Sequence, residues 1–385
     1  MHAPGFSSLV WLLGACAGLG LLTPTRAISA DGAQLASQFC ASCHGEALTG
    51  ARAPALRGGR WQRARNDAEA MQIVVRGLPD AGMPAFGDAL SEADRAALLA
   101  FMRSSAPPQA PARSKGEAVR TQRQNFAIET VASGFEVPWS IAFLPDGRLL
   151  VTERAGRLRI VDGGKVSPPI QGIPRVWYRQ DGGLLSVALH PDYAKTGWVY
   201  LSYSEPGREP RTSMTKIVRG RVANLSWVDQ ETVWEADRRF YSHGNDHYGC
   251  RLLFHRGKLF FSIGERSRRA AAQNLGDPRG KIHRIEADGD VPADNPFVRT
   301  PGALPTIWSY GHRNPQGLAV DSRTGDLWAT EHGPMGGDEL NRIEPGQNYG
   351  WPVVTHGREH SGAAISEFTS KPGMMDPVRQ WTPSI

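Results

Sequence analysis

Two things are scarce in this chain of 385 residues, cysteine and long apolar runs. Four cysteines are too few for a small fold stapled by disulfides. The longest apolar stretch, "SSLVWLLGACAGLGLLTP" from Ser7 to Pro24, is too short for a confident membrane span. It reads instead as the core of an export signal over residues 1–27, with "TRA" as the cleavage site. Cys16 lies inside that run, and "LGAC" is a poor match to a lipid-anchor motif. The expected mature chain is therefore exported, periplasmic, and without a membrane span. Strong charge is missing too. The formal net charge is +6, the arginines are scattered, and no basic patch is interleaved with aromatics. That excludes a nucleic-acid surface.

What is present divides the chain. In "QFCASCHGEA", Gln38 to Ala47, Cys40 and Cys43 flank two residues and His44 follows at once. Two thiols at this spacing can add across the vinyl groups of one haem, and the adjacent histidine supplies an axial nitrogen. A redox dithiol or a lone disulfide is the other use of such a pair. The next segments fit a small helical domain. "NDAEAMQIVVRGLP" predicts a helix capped by Asn66 or Asp67 and ended by Gly77 and Pro79. Ser91 and Asp94 form a capping box ahead of a second helix, whose apolar face carries Leu98, Leu99, Phe101 and Met102. Met83, in "GMPAF" between those helices, offers a soft thioether as second axial ligand. Met71 competes, but its mid-helix position predicts packing. Residues 31–105 resemble a class I cytochrome c. Residues 106–124, rich in Pro, Ala, Ser and charge, read as a linker.

From residue 125 the pattern is one of strands. Pieces starting at Ile141, Val187, Arg251 and Gly317 each show an apolar strand, a polar turn and a second apolar strand, often followed by a third ending in "RI". Repeats of this kind cannot bury their faces alone and stack as propeller blades. A β-sandwich would not need the repeated unit. Cys250, left unpaired, is expected to be a small buried hydrophobe.

The motifs "DGGLLSVALHPDY", "HYGCRLLF", "IWSYGHRNPQGLAV", "EHGPMGGDELNRI" and "GQNYGWP" resemble those of the PQQ-dependent soluble aldose sugar dehydrogenases, the glucose/sorbosone dehydrogenase family. The resemblance implies a six-bladed propeller, of which residues 125–385 supply four to five blades, C-terminally truncated. It implies pyrroloquinoline quinone (PQQ) held by Ca2+ at the mouth of the channel, and oxidation of an aldose at C1. His247 falls on the family's catalytic base, with Asp246 beside it and His243 as the nearby competitor. Arg313 falls on the cation beside the quinone oxygen, and Asn314 on a cofactor contact. Gly333 and Pro334 fall on the carbonyls that hold calcium. Asp338, Glu339 and Tyr349 match a second, structural calcium site. The family's PQQ-contacting Gln is replaced by Asp181, and a strand-end bulge at Gln180 is the expected way to restore that contact. A fused haem suits a cofactor that releases two electrons, with an external cytochrome or oxidase as the next acceptor. The competing expectation is an electron-transfer cytochrome whose propeller only binds a partner or carbohydrate.

Overall fold

The computed structural model describes residues 31–45, 48, 53–59, 61–78, 83–104 and 118–384. The export signal, Cys16 and most of the linker lie outside these residues. Among the described residues no helix is long and apolar enough to cross a membrane.

The N-terminal part is helical. Helix α1 spans Gly32–Phe39, α2 Ala41–His44, α3 Asp67–Arg76 and α4 Glu92–Arg103. Each longer helix starts where a side chain satisfies a free backbone donor. Asp31 accepts from Ala33, Asn66 from Glu69, and Ser91 and Asp94 close the expected capping box. Leu35, Val74, Phe86, Leu90, Leu98 and Met102 make one small core with Cys40. A short hairpin, Ala118–Arg120 paired with Asn125–Ala127, occupies the end of the expected linker.

Four four-stranded antiparallel sheets follow, over residues 138–166, 184–235, 252–310 and 315–381, each a meander of sequence-consecutive strands. The four sequence repeats coincide with them. The first strands of successive sheets pack against one another, which places them around a common axis. A buried hydroxyl joins each sheet to the next. Thr152, Ser202 and Ser262 sit on second strands and donate to the carbonyls of Leu185, Cys250 and Pro315 at 2.6, 2.5 and 2.7 Å. The apolar residues between sheets complete the packing, with Leu150, Leu184 and Leu201 in one cluster and Ile217, Leu259 and Phe261 in the next.

Lys281, on the strand Lys281–Ile285, is a cation with no exposed surface. Its ammonium donates to the carbonyls of Ala271, Ala272 and Arg279 at 2.8, 3.0 and 2.7 Å. It thereby ties the 3-10 turn Arg269–Gln273 to the third sheet. Burial draws its pKa down to about 7. The unfolded chain keeps that proton to the ordinary lysine value near 10.4, so it binds more protons than the native state from about pH 7 to 10. Stability should rise with pH across that window. Lys281→Met should flatten the rise and also cost about 1–3 kcal/mol through its orphaned carbonyls. Denaturant unfolding at pH 7 and pH 9.5 measures both effects. An unchanged slope with pH would show that Lys281 is not the group responsible.

Candidate functional site

Two sites emerge, one in each part of the chain. In the helical part, α2 ends on His44, which is buried. Its Nδ1 lies 2.6 Å from the carbonyl of Pro54. A carbonyl only accepts, so Nδ1 carries the proton and Nε2 keeps its lone pair for a metal. Neither Cys40, which is buried, nor Cys43, which keeps some exposure, is in a disulfide. Met83 is fixed by its own backbone, which exchanges hydrogen bonds of 2.8 and 3.1 Å with Leu78. Gly77 permits this, because a Cβ there would lie 2.6 Å from the Met83 carbonyl. Met71 and Met83 both pack half-buried against the same core, so burial does not separate the two sulfurs. The donor set suits a covalently attached haem. Replacing both Cys40 and Cys43 with Ser should abolish covalent haem, read as loss of haem staining after denaturing electrophoresis. Staining that survives the double substitution would refute the assignment.

In the propeller, a cavity of about 410 Å³ is lined by His247, Glu265, Ser267, Arg269 and Arg313. That is within the usual range for small-molecule sites, about 300–1,000 Å³. His247 Nδ1 lies 2.6 Å from Glu265 Oε1. The carboxylate fixes the tautomer and leaves Nε2 as the free base. The second oxygen of Glu265 is buried and has no hydrogen-bond partner among the described residues. His247 itself has φ 53°, and Gln180, Arg266 and Ser267 are also left-handed. Such residues persist only where their surroundings hold them. Here Arg266 is the clamp. It is 1% exposed, stacks 3.6 Å over Tyr248, and donates to the carbonyls of Gly244 and Asp246. Gly264 completes the fit, since a Cβ there would lie 2.2 Å from the His247 carbonyl.

Arg313 is held from several sides. Its N–H donates to Glu331 at 2.7 Å, and its Nη1 donates to the carbonyls of His332 and Gly333, both at 2.8 Å. Glu331 is buried and also accepts from His312 at 2.9 Å. Burial alone would raise its carboxyl, but His312 and the backbone donors of Arg313 and Asn314 hold it below the ordinary value. The ring of Trp351 faces both Arg269 and Arg313, at 5.6 and 5.5 Å.

The other expected residues fall into place unevenly. Asp246 lies 3.8 Å from His247 Nε2 and accepts from Ser267. Burial raises its carboxyl, yet His247, Ser267 and Arg266 outweigh that and lower it. His243 is exposed and lines no part of the cavity. Asn314 is buried, and its Oδ1 accepts from Gly249 N–H at 3.1 Å. Gln180 is a left-handed turn residue ahead of the strand Leu184–Leu189, rather than the bulge the sequence suggested. Its carbonyl accepts from Arg154. Asp181 is buried and does not line this cavity, and its carboxylate accepts from the His247 N–H at 3.3 Å. Gly333 presents its carbonyl to Arg313, beside Pro334.

The expected second-calcium residues are engaged separately. Asp338 accepts from Gly333 N–H, Glu339 from Asn341, and the Tyr349 hydroxyl donates to the Arg342 carbonyl. Burial, then Glu331, pushes the Glu339 carboxyl up to about 8. Among the described residues no three His, Cys, Asp or Glu side chains form a metal-ligand group. A second cavity of about 430 Å³ shares no residue with the first, and its Asp376 and Arg379 are exposed.

Glu265, Arg266, Ser267 and Arg269 were not singled out by the sequence. They sit in "IGERSRR", where a buried strand ends abruptly in charge, and that was the available signal.

The glucose/sorbosone dehydrogenase model matches residues 135–385. The chain belongs to the glucose/sorbosone dehydrogenase family. It is an oxidoreductase of that family with a cytochrome c domain in front, since the cbb3-type cytochrome c oxidase subunit III model matches residues 27–102. This dehydrogenase is 43% identical over 264 residues to an aldose sugar dehydrogenase of Escherichia coli, covering 67% of this chain and 70% of the relative. It is 40% identical over 317 residues to an uncharacterized Synechocystis protein, covering 77% and 75% of the two chains. The apo crystal structure of the E. coli aldose sugar dehydrogenase superposes with TM-score 0.62 at 40% identity, covering 65% of this chain and 73% of that one. The PQQ-bound Streptomyces coelicolor enzyme does so with TM-score 0.53 at 33% identity, over 66% and 71%.

Proposed function

We propose that this chain is a periplasmic, PQQ-dependent aldose dehydrogenase that oxidises its sugar at C1 to the lactone and passes the electrons to its own haem. The observation that carries this reading is the His247–Glu265 pair, 2.6 Å apart, on a cavity that also holds Arg313 and Arg269. The likeness to an aldose sugar dehydrogenase and to a PQQ-bound relative supports it.

The cavity residues fit an anionic quinone. Two guanidiniums face it, and the Gly333 carbonyl lies beside Arg313, where it and Pro334 would hold Ca2+. When bound, PQQ supplies an electrophilic carbon that accepts hydride. The chain supplies the rest. His247 Nε2 accepts the proton of the C1 hydroxyl while the hydride departs, so C1 gains its carbonyl and the sugar loses two electrons and two protons. Glu265 accepts from Nδ1 and stabilises the imidazolium that forms. Arg313, fixed through Glu331 on the cavity wall, would stabilise the negative charge that develops on a bound quinone, and its rigidity would avoid reorganisation at that moment. A haem iron takes one electron at a time, so two oxidations by an external cytochrome or oxidase follow each sugar.

His247→Ala should lower turnover roughly 10²- to 10⁴-fold, the range for a positioned general base, with PQQ affinity much less affected. Glu265→Gln should also lower turnover, because the imidazolium that forms loses the carboxylate 2.6 Å from its Nδ1. Steady-state kinetics of the PQQ- and Ca2+-loaded protein test both. Unaltered turnover in His247→Ala would end its role as base.

A further inference from the structure

We propose that the hairpin of residues 358–364 is the docking element that seats the haem domain at the rim of the redox cavity. The inference rests on the haem and quinone reading given above. The hairpin is anchored on two sides. Arg358 exchanges backbone hydrogen bonds of 3.1 Å each way with Met335, the residue after Gly333–Pro334. Glu359 accepts from Nη1 and Nη2 of the cavity-lining Arg269, at 2.5 and 2.8 Å. The turn between them is closed by Gly362 N–H donating to the Glu359 carbonyl at 2.8 Å.

The next residue, His360, faces the helical domain. Its ring meets Phe86 edge to face, with centroids 6.4 Å apart and planes at 76°. Phe86 is only 6% exposed and follows Met83 by three residues. Phe86 also meets Phe39 at 6.0 Å and 74°, and Phe39 directly precedes Cys40. A line of rings thus runs from the haem-attachment thiols to the rim of the cavity.

The strength of this contact suits its task. One edge-to-face pair is weak, but a tethered partner is present at high effective concentration. Such a domain docks and releases readily. A haem that must visit the cavity and then meet an external one-electron acceptor needs both.

The test uses the full, haem-loaded chain. His360→Ala should speed amide hydrogen exchange in residues 83–87 and 358–364, and His360→Phe should restore wild-type protection, because the contact is ring on ring. With PQQ, Ca2+ and an aldose added, stopped-flow haem reduction should slow roughly 2- to 10-fold in His360→Ala, the range of one aromatic pair. Turnover with a small soluble dye as acceptor should stay unchanged. Wild-type exchange in His360→Ala, or equal slowing of dye and haem reduction, overturns the docking. If the exchange difference holds and no aldose reduces the haem in any variant, the docking stands and the electron-transfer reading fails.

Discussion

A hydroxyl on the second strand of one sheet, donating to a carbonyl on the next, sets how the sheets meet. Apolar contact between sheets is non-directional and tolerates sliding. A buried hydrogen bond of 2.5–2.7 Å does not, because breaking it strands a polar group with no water to receive it. The accepting carbonyls belong to Leu185, Cys250 and Pro315, at or next to the entrances of the first strands. The loops feeding those entrances carry Asp181, His247 and Arg313. Second strands run antiparallel to the first, so their exits come to the same end of the axis, bringing Glu265 and Gly333. The site is where these loops are forced together.

That convergence explains the unusual backbone. His247, Arg266, Ser267 and Gln180 occupy a conformation that side chains disfavour, and all four border one cavity or its supporting loops. The surrounding sheets hold them there. Arg266 contributes by capping the loop carbonyls, and Asp181 by accepting from the His247 backbone. The imidazole is therefore presented by a scaffold whose rigidity comes from outside the cavity.

Much of this was legible from the residues. The four repeats starting at Ile141, Val187, Arg251 and Gly317 fall in the four sheets, because alternating strands with polar turns have a strong local signature. The caps at Asn66 and Ser91 were equally local. His247 and Arg313 were found through long motifs, and they do share a cavity. Glu265 was missed, because its pairing with His247 depends on two sheet ends meeting and leaves no periodic trace. Gln180 was expected in a bulge and is a left-handed turn residue, a choice set by Arg154 capturing its carbonyl. Tyr349 matched a ligand position in a motif, but its hydroxyl is engaged by Arg342 and Glu344 in the folded chain.

Cys250 lies in the fully buried contact between the second and third sheets, with its thiol 3.3 Å from the Thr215 hydroxyl. Cys43, by contrast, keeps some exposure. Once these two sheets have packed, the Cys250 thiol is shielded from oxidants and from Cys40 and Cys43. Cross-linking to it is then confined to the interval before they pack.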